Sequence, residues 1–128
     1  MIKTPYLAVD AIIIIEGKVL LIKRKNPPFG WALPGGFVDI GESTEDAVKR
    51  EVKEETCLDA QNVKLMGVYS DPKRDPRFHN VSIAYEVKAT GKAKAADDAK
   101  EVQFFIPQEL PEMAFDHKKI LEDYFERK

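Results

Sequence analysis

The apolar residues of this chain follow two different periods, which separate strands from helices. Leu7–Ile15 is an almost unbroken apolar run and predicts a buried strand. Val81–Val87 alternates apolar and polar positions, which is typical of a strand with one buried face. Thr44–Thr56 and Phe115–Arg127 instead carry apolar residues at helical spacing. The pattern therefore predicts an α+β fold with two helices packed on a sheet.

Turn residues divide the rest of the chain. Glu16-Gly17-Lys18 predicts a hairpin turn, after which Val19–Lys23 returns as a strand. Further strands are predicted at Trp31–Leu33, Val63–Tyr69 and Val102–Ile106, and loops at Asn26–Gly30, Asp71–Arg77 and Gly91–Lys100.

Composition narrows the class of protein. A length of 128 residues predicts a single domain, residues 1–128, and a net charge of −2 gives no electrostatic reason to expect nucleic acid. Leu7–Ile15 is too short to span a membrane and is broken by Asp10. The single cysteine, Cys57, fits a reducing compartment, so we expect a cytoplasmic protein with no membrane partner.

Three carboxylates lie within five positions of the first predicted helix: Glu51, Glu54 and Glu55. At about 100° per residue, they share one half of the helical wheel with Ala47, Val48 and Val52. The other half holds Glu45, Asp46, Lys49, Lys53 and Thr56. Clustered inward carboxylates are unfavourable unless a cation neutralises them, and Mg²⁺ prefers oxygen ligands. The helix therefore predicts a divalent metal site, with Glu51 and Glu55 as preferred ligands and Glu54 as a third.

The spacing of these residues resembles the Nudix box. Gly36 is followed after five residues by Glu42, and then after seven by Arg50-Glu51, Val52, Lys53 and Glu54-Glu55. One position departs, since Cys57 stands where the family usually has glycine in a left-handed conformation. The resemblance implies an α/β/α sandwich with a mixed β-sheet. It also implies a Mg²⁺-dependent hydrolase, with Mn²⁺ as an alternative ion, that cleaves nucleoside diphosphates linked to another moiety.

The resemblance also implies roles for single residues. Glu54, Glu55, Arg50 and Glu42 would form the catalytic set, and the Gly35 carbonyl would join the glutamates as a metal ligand. Arg50 can pair with Glu54 or with Glu42. A further acid on a distal loop, as base or ligand, would be Asp97, Asp98 or Glu101, and the sequence does not separate these three.

The loop after the box resembles that of ADP-ribose pyrophosphatases. It holds Pro72, Arg74 and Arg77, and guanidinium groups suit phosphate contacts. Arg24 and Phe29 are further candidates for substrate binding. ADP-ribose, cleaved to AMP and ribose 5-phosphate, is the expected substrate. The alternatives are hydrolysis of an oxidised nucleoside triphosphate or a non-catalytic ADP-ribose-binding module.

The sequence leaves the oligomeric state open. A homodimer is one alternative, because larger ADP-ribose pyrophosphatases are often dimers.

Overall fold

The computed structural model describes residues 1–127. In chain order its elements are β1 (Tyr6–Ile12), β2 (Ile14–Ile15), β3 (Lys18–Arg24), β4 (Trp31–Ala32), β5 (Gly35–Phe37), α1 (Thr44–Thr56), β6 (Asp59–Tyr69), β7 (Asn80–Thr90), β8 (Ala99–Phe105) and α2 (His117–Glu126). A short 3₁₀ turn, Pro107–Glu109, precedes α2.

The strands form two four-stranded sheets. In the first, the order is β5-β1-β7-β6, with β1 and β7 parallel and the other neighbours antiparallel. In the second, β3 pairs antiparallel with β2, β4 and β8. The single strand predicted at Leu7–Ile15 is therefore wrong, because the chain passes from one sheet to the other at Ile13. An apolar run without a period does not mark such a crossing.

One helix packs on each side of the sheets. On the α1 side, Val48 and Val52 pack with Val9 and Ala11 of β1. On the α2 side, Ile120 and Leu121 pack with Ile12 of β1 and with Val19, Leu21 and Ala84. The expected α/β/α sandwich is confirmed. No helix among residues 1–127 is long and apolar enough to cross a membrane.

Helix α1 has the predicted bounds because both of its ends are capped. The Ser43 hydroxyl accepts a hydrogen bond from the Asp46 N–H over 3.1 Å, which satisfies a free donor of the first turn. Cys57 ends the helix with φ 66° and donates its N–H to the Lys53 carbonyl. The left-handed conformation expected at this position is thus present. Thr56, expected on the outer half of the wheel, is instead fully buried and donates its hydroxyl to the Val52 carbonyl.

Strands β6 and β8 begin earlier than predicted, at Asp59 and Ala99, and two further segments differ in kind. Gly35–Phe37, where the sequence predicted no strand, forms β5 and pairs with Ala8–Asp10 of β1. Phe115, expected in the last helix, has φ 55° and lies outside α2, which begins at His117. Positive φ is uncommon for a bulky residue. The apolar stripe alone therefore gave no sign that the helix begins only at His117.

Candidate active site

A cavity of about 260 Å³ lies beside α1, between β1, β3 and the loop that follows β6. Four carboxylate residues line it, namely Asp10, Glu51, Glu55 and Asp98. Arg24, Arg74 and Arg77 also line the cavity. It therefore brings acids that could bind a cation close to guanidinium groups that could bind an anion.

Helix α1 directs two of its acids into this cavity. Glu55 is 5% exposed, and its Oε1 accepts the Gly35 N–H over 2.8 Å. Burial raises the pKa of Glu55 to about 8, although the Gly35 hydrogen bond opposes the shift. Burial also raises the pKa of Glu51 to about 7, against the opposing charge of Arg50. A cation bound between these carboxylates would relieve the same unfavourable burial of charge.

The two glycines of β5 allow the strand to approach its neighbours. A Cβ on Gly36 would overlap the Glu51 carboxylate, and one on Gly35 would overlap the Val9 carbonyl and Asp10. Neither glycine has a positive φ. The Gly-Gly pair is therefore explained by close packing of β5 between β1 and α1. A side chain at Gly36 would displace Glu51, and one at Gly35 would displace β1.

Arg50 is the centre of the acidic cluster on α1. It donates to both carboxylate oxygens of Glu42, at 2.7 and 3.0 Å, and to Glu54 at 2.9 Å, so both pairings considered from the sequence are present. It also contacts Glu51 at 3.2 Å and the Phe37 carbonyl at 3.0 Å. The Arg50 hydrogen bonds lower the pKa of Glu42 to about 2. Arg50 thus joins Glu42, which precedes α1, to β5 and to Glu51 and Glu54 of the helix.

The helical wheel placed all three box acids on the buried side, and this prediction is wrong for Glu54. The Glu54 side chain is 43% exposed because it turns outward to Arg50, whereas that of Glu51 is 13% exposed. Within residues 1–127, no three His, Cys, Asp or Glu side chains are arranged as a ready metal site. Glu51 and Glu55 still suit Mg²⁺, which usually binds one or two carboxylates and keeps waters and phosphates as its other ligands.

The structure separates the three loop acids. Asp98 lines the cavity, and its charge contributes to the raised pKa of both Glu51 and Glu55. Asp97 and Glu101 do not line it, and Glu101 instead pairs with Lys23 at 3.8 Å. Of the three candidates, the structure therefore favours Asp98 for the role expected from the sequence.

Arg77 and Arg24 face the cavity, as a substrate-binding role requires. Arg77 donates to both oxygens of Asp75, at 3.0 and 2.8 Å. Its guanidinium lies 4.8 Å from the ring centre of Phe78 and 5.3 Å from that of Phe115. The Arg24 guanidinium lies 4.9 Å from the Phe115 ring. Phe115 thus contacts both guanidiniums, a contact that cation–π attraction favours.

The other candidates for substrate binding have different surroundings. The Arg74 side chain is 2% exposed and makes two hydrogen bonds to Asp116, at 3.0 and 2.6 Å, and one to the Asn80 carbonyl. Arg74 lines the cavity, but these hydrogen bonds engage its donors within the protein, so its expected phosphate contact stays a prediction. Pro72 does not line the cavity, and neither does Phe29, whose side chain is 67% exposed.

Sequence reasoning missed Asp10 as a site residue. Asp10 is 6% exposed, and its Oδ2 accepts from the Ser82 hydroxyl and lies 3.4 Å from His117 Nε2. Burial would raise the pKa of Asp10, but His117, Ser82 and Arg74 outweigh it and hold the pKa below its usual range. The sequence did carry a signal, since a charged residue inside an apolar run must be paired if it is buried.

The imidazole of His117 has a defined tautomer. Its Nδ1 accepts the Leu33 N–H over 3.0 Å, so the ring proton lies on Nε2, which faces Asp10. His117 is 3% exposed. It therefore connects the start of α2 to β1 and to the segment before Gly35.

Comparison with known proteins agrees with this geometry. Residues 4–124 match the family model of the NUDIX domain. The chain therefore belongs to the Nudix hydrolase family, which confirms the family and the type of enzyme expected from the box.

Three relatives are informative. The chain is 55% identical over 123 residues to the ADP-ribose pyrophosphatase of Methanocaldococcus jannaschii, which covers 94% of this chain and 73% of the relative. A MutT/nudix family protein from Enterococcus faecalis superposes with a TM-score of 0.90 at 36% identity, covering 99% of this chain and 63% of the other. A bifunctional NMN adenylyltransferase/ADP ribose pyrophosphatase from Francisella tularensis, solved with AMP and a Mn ion, superposes with a TM-score of 0.84 at 28% identity, covering 98% and 42%.

These matches support a general statement about cofactor and ligand. Nudix hydrolases generally use divalent metals, and the Francisella protein binds a metal ion together with a small nucleotide. The chain spans less than two thirds of the Enterococcus and Francisella proteins, so their complete activities are not transferred to it.

Proposed function

We propose that this protein hydrolyses ADP-ribose to AMP and ribose 5-phosphate in a reaction that requires Mg²⁺, or Mn²⁺ in its place. One observation carries the proposal: a single cavity holds the carboxylates Glu51 and Glu55 together with the guanidiniums of Arg24 and Arg77. A diphosphate site requires a cation, which the carboxylates can hold, and fixed positive groups, which the arginines supply. The negative charge of the diphosphate is then shared between them. The name of the 55% identical relative supports ADP-ribose over other diphosphates.

Each residue has a separate task in this proposal. Glu51 and Glu55 would hold the cation, with Glu54 as a further ligand and the Gly35 carbonyl completing the site, as the family resemblance implies. Bound there, the cation would supply neutralisation of the phosphate oxygens and activation of a water. Arg50 and Glu42 keep the acids in position, and Arg24 and Arg77 orient the diphosphate. Asp98, the loop acid that lines the cavity, would accept the proton of the attacking water.

The remaining expectations belong to the same proposal. We infer that residues 1–128 act as one domain and that the protein works in the cytoplasm on a small nucleotide without a nucleic acid or membrane partner. The apolar segment Leu7–Ile15 supplies core residues, because Val9, Ala11, Ile12 and Ile13 are fully buried. A homodimer therefore has to use other surfaces, and it stays a prediction that sedimentation velocity can test.

Product analysis tests the proposal directly. Purified protein would be incubated with Mg²⁺ and a panel of ADP-ribose, NADH, diadenosine polyphosphates and each nucleoside triphosphate, including 8-oxo-dGTP. Glu54→Gln and Glu55→Gln serve as inactive variants, and Glu45→Gln, on the exposed first turn of α1, is the matched control. We expect AMP and ribose 5-phosphate from ADP-ribose, lost in Glu55→Gln and retained in Glu45→Gln.

Other outcomes would change the assignment. Release of pyrophosphate from triphosphates at a higher kcat/KM than ADP-ribose turnover would replace the substrate and keep the metal site. Binding of ADP-ribose with no turnover at any Mg²⁺ or Mn²⁺ concentration would indicate the binding module instead.

A further inference from the structure

Two buried acceptors on the cavity wall have no role in metal binding or phosphate binding. The first is Asp10, all of whose described hydrogen-bond and ion-pair partners, Ser82, His117 and Arg74, lie at Oδ2. Its Oδ1 points toward β5, 2.6 Å from the position that a Cβ on Gly35 would take. Asp10 therefore presents a second carboxylate oxygen at the wall of the cavity that it lines.

The second acceptor is Asn80, which lines the same cavity and is 5% exposed. Its Nδ2 donates to the Asp75 carboxylate over 3.3 Å. Because a carboxylate only accepts, this bond fixes the orientation of the amide. Its Oδ1 is then left buried without a hydrogen-bond partner among the described residues. Buried acceptors are rarely left unpaired in a folded protein, so this one calls for a donor from outside the chain.

Sheet register brings the two residues to one wall. β1 and β7 are parallel neighbours, with Ala8 opposite Ser82 and Asp10 opposite Ala84. Side chains two positions apart share a face of a strand, so Asn80 and Ser82 lie on the same face of β7. Ser82 contacts Asp10 directly, which places Asn80 on the Asp10 side of the sheet. We call Asp10 and Asn80 the acceptor pair.

We propose that the acceptor pair recognises the hydroxyl groups of a ribose in the substrate. This inference rests on the proposed function and adds that the protein recognises the ribose part of the substrate. Phosphate oxygens and adenine ring nitrogens are acceptors, so they do not match a buried carboxylate and an amide oxygen. Ribose hydroxyls are donors that lie a few bonds from a phosphate, and carboxylates bind them in other nucleotide sites. The phosphates themselves fit the neighbouring guanidiniums of Arg24 and Arg77.

ADP-ribose has two riboses, so the test must separate them. Isothermal titration calorimetry with Mg²⁺ would compare AMP with 2′-deoxy-AMP and 3′-deoxy-AMP, and ribose 5-phosphate with 2-deoxyribose 5-phosphate. Both comparisons use the wild type, Asn80→Leu, Asp10→Asn and the control Asn62→Leu, which makes the same substitution at an exposed position of β6. Binding is measured without turnover, so the result does not depend on whether ADP-ribose is hydrolysed.

We expect the wild type to bind one of the two ribose compounds about tenfold or more tightly than its deoxy analogue. Asn80→Leu and Asp10→Asn should bring that ratio close to one, and Asn62→Leu should leave it unchanged. The comparison whose affinity ratio falls in the variants identifies which of the two riboses is bound by the acceptor pair. General damage to the site would weaken both ligands of a comparison equally and leave the ratio intact.

Two results would overturn the proposal. One is equal binding of the hydroxyl and deoxy compounds by the wild type in both comparisons, which needs no variant to fold. The other is a ratio that survives in both variants. A third comparison, of AMP with IMP, tests the exocyclic amine of adenine. If Asn80→Leu changed only the ratio of these two affinities, Asn80 would be assigned to the base instead of the ribose.

Discussion

Gly35 donates its backbone N–H to Oε1 of Glu55 over 2.8 Å, which joins strand β5 to helix α1 at the cavity. Glutamine can accept the same hydrogen bond but cannot supply a negative charge. We therefore expect Glu55→Gln to lower kcat/KM by about 100-fold or more through weaker metal binding. In EDTA at pH 9 the same variant should have a higher Tm than the wild type, because it removes a buried charge. A lower activity with a lower Tm would indicate that the substitution damages the fold rather than the metal site.

The raised pKa values of Glu51 and Glu55 predict an unusual pH dependence of stability. With pKa values of about 7 and 8, these carboxyls hold protons in the folded protein that they lose above about pH 4.5 when unfolded. The folded state binds more protons in this window, so their contribution to stability falls as pH rises from about 5 to 8. We expect the Tm in EDTA to fall across that range.

Mg²⁺ should reverse this trend, since it binds the deprotonated carboxylates and its affinity grows with pH. Thermal unfolding at pH 5 to 9, with EDTA or with Mg²⁺, measures both effects. Glu55→Gln should flatten the EDTA curve. An EDTA curve that rises steadily from pH 5 to 8 would contradict the assignment of these two groups.

The distal acid can be identified by three matched variants. Asp98 lines the cavity, whereas Asp97 and Glu101 do not. Asp98→Asn should lower kcat by about 10²-fold or more if this carboxylate accepts the proton. Asp97→Asn and Glu101→Gln should retain nearly full activity. Steady-state kinetics at saturating Mg²⁺ decides this, and equal activity of all three variants would exclude a catalytic loop acid.

The box helix and the family could be predicted from sequence because their signals are local. The Ser43 cap, the helical spacing and the acids all lie within one short segment, so periodicity and motif spacing were sufficient. The site as a whole depends on long-range pairing. Asp10 meets Ser82 only because β1 and β7 are neighbours in the sheet, a register that no local pattern encodes.

The Asp71–Arg77 loop shows a second reason why sequence patterns do not define the whole site. Arg74 and Arg77 lie three positions apart in a segment without a period, so their sequence environment is the same. Both line the cavity, but the Arg74 side chain is buried beside Asp116, whereas that of Arg77 is 33% exposed. Exposure and partners are tertiary properties, and they distinguish residues that look alike in sequence.

The two arginines should therefore respond differently to the same substitution. Arg74→Lys loses the paired hydrogen bonds to the Asp116 carboxylate, and we expect it to lower the free energy of unfolding by about 1–3 kcal/mol with little change in KM. Arg77→Lys keeps its charge beside Asp75 but loses the planar guanidinium, so KM should rise about tenfold with a smaller loss of stability. Urea unfolding and steady-state kinetics measure the pair, and a reversed pattern would show that Arg74 is the one that binds phosphate.

Cys57 offers a test of the departure from the box. Its φ of 66° is a conformation that glycine adopts without strain, whereas a side chain there costs about 1 kcal/mol. We expect Cys57→Gly to raise the free energy of unfolding by about 1 kcal/mol and to leave kcat and KM unchanged, because the residue does not line the cavity. Cys57→Ala is the control, since it removes the thiol but keeps the Cβ and should give no gain. If Cys57→Ala stabilised the protein as much as Cys57→Gly, the effect would come from the thiol and not from the backbone.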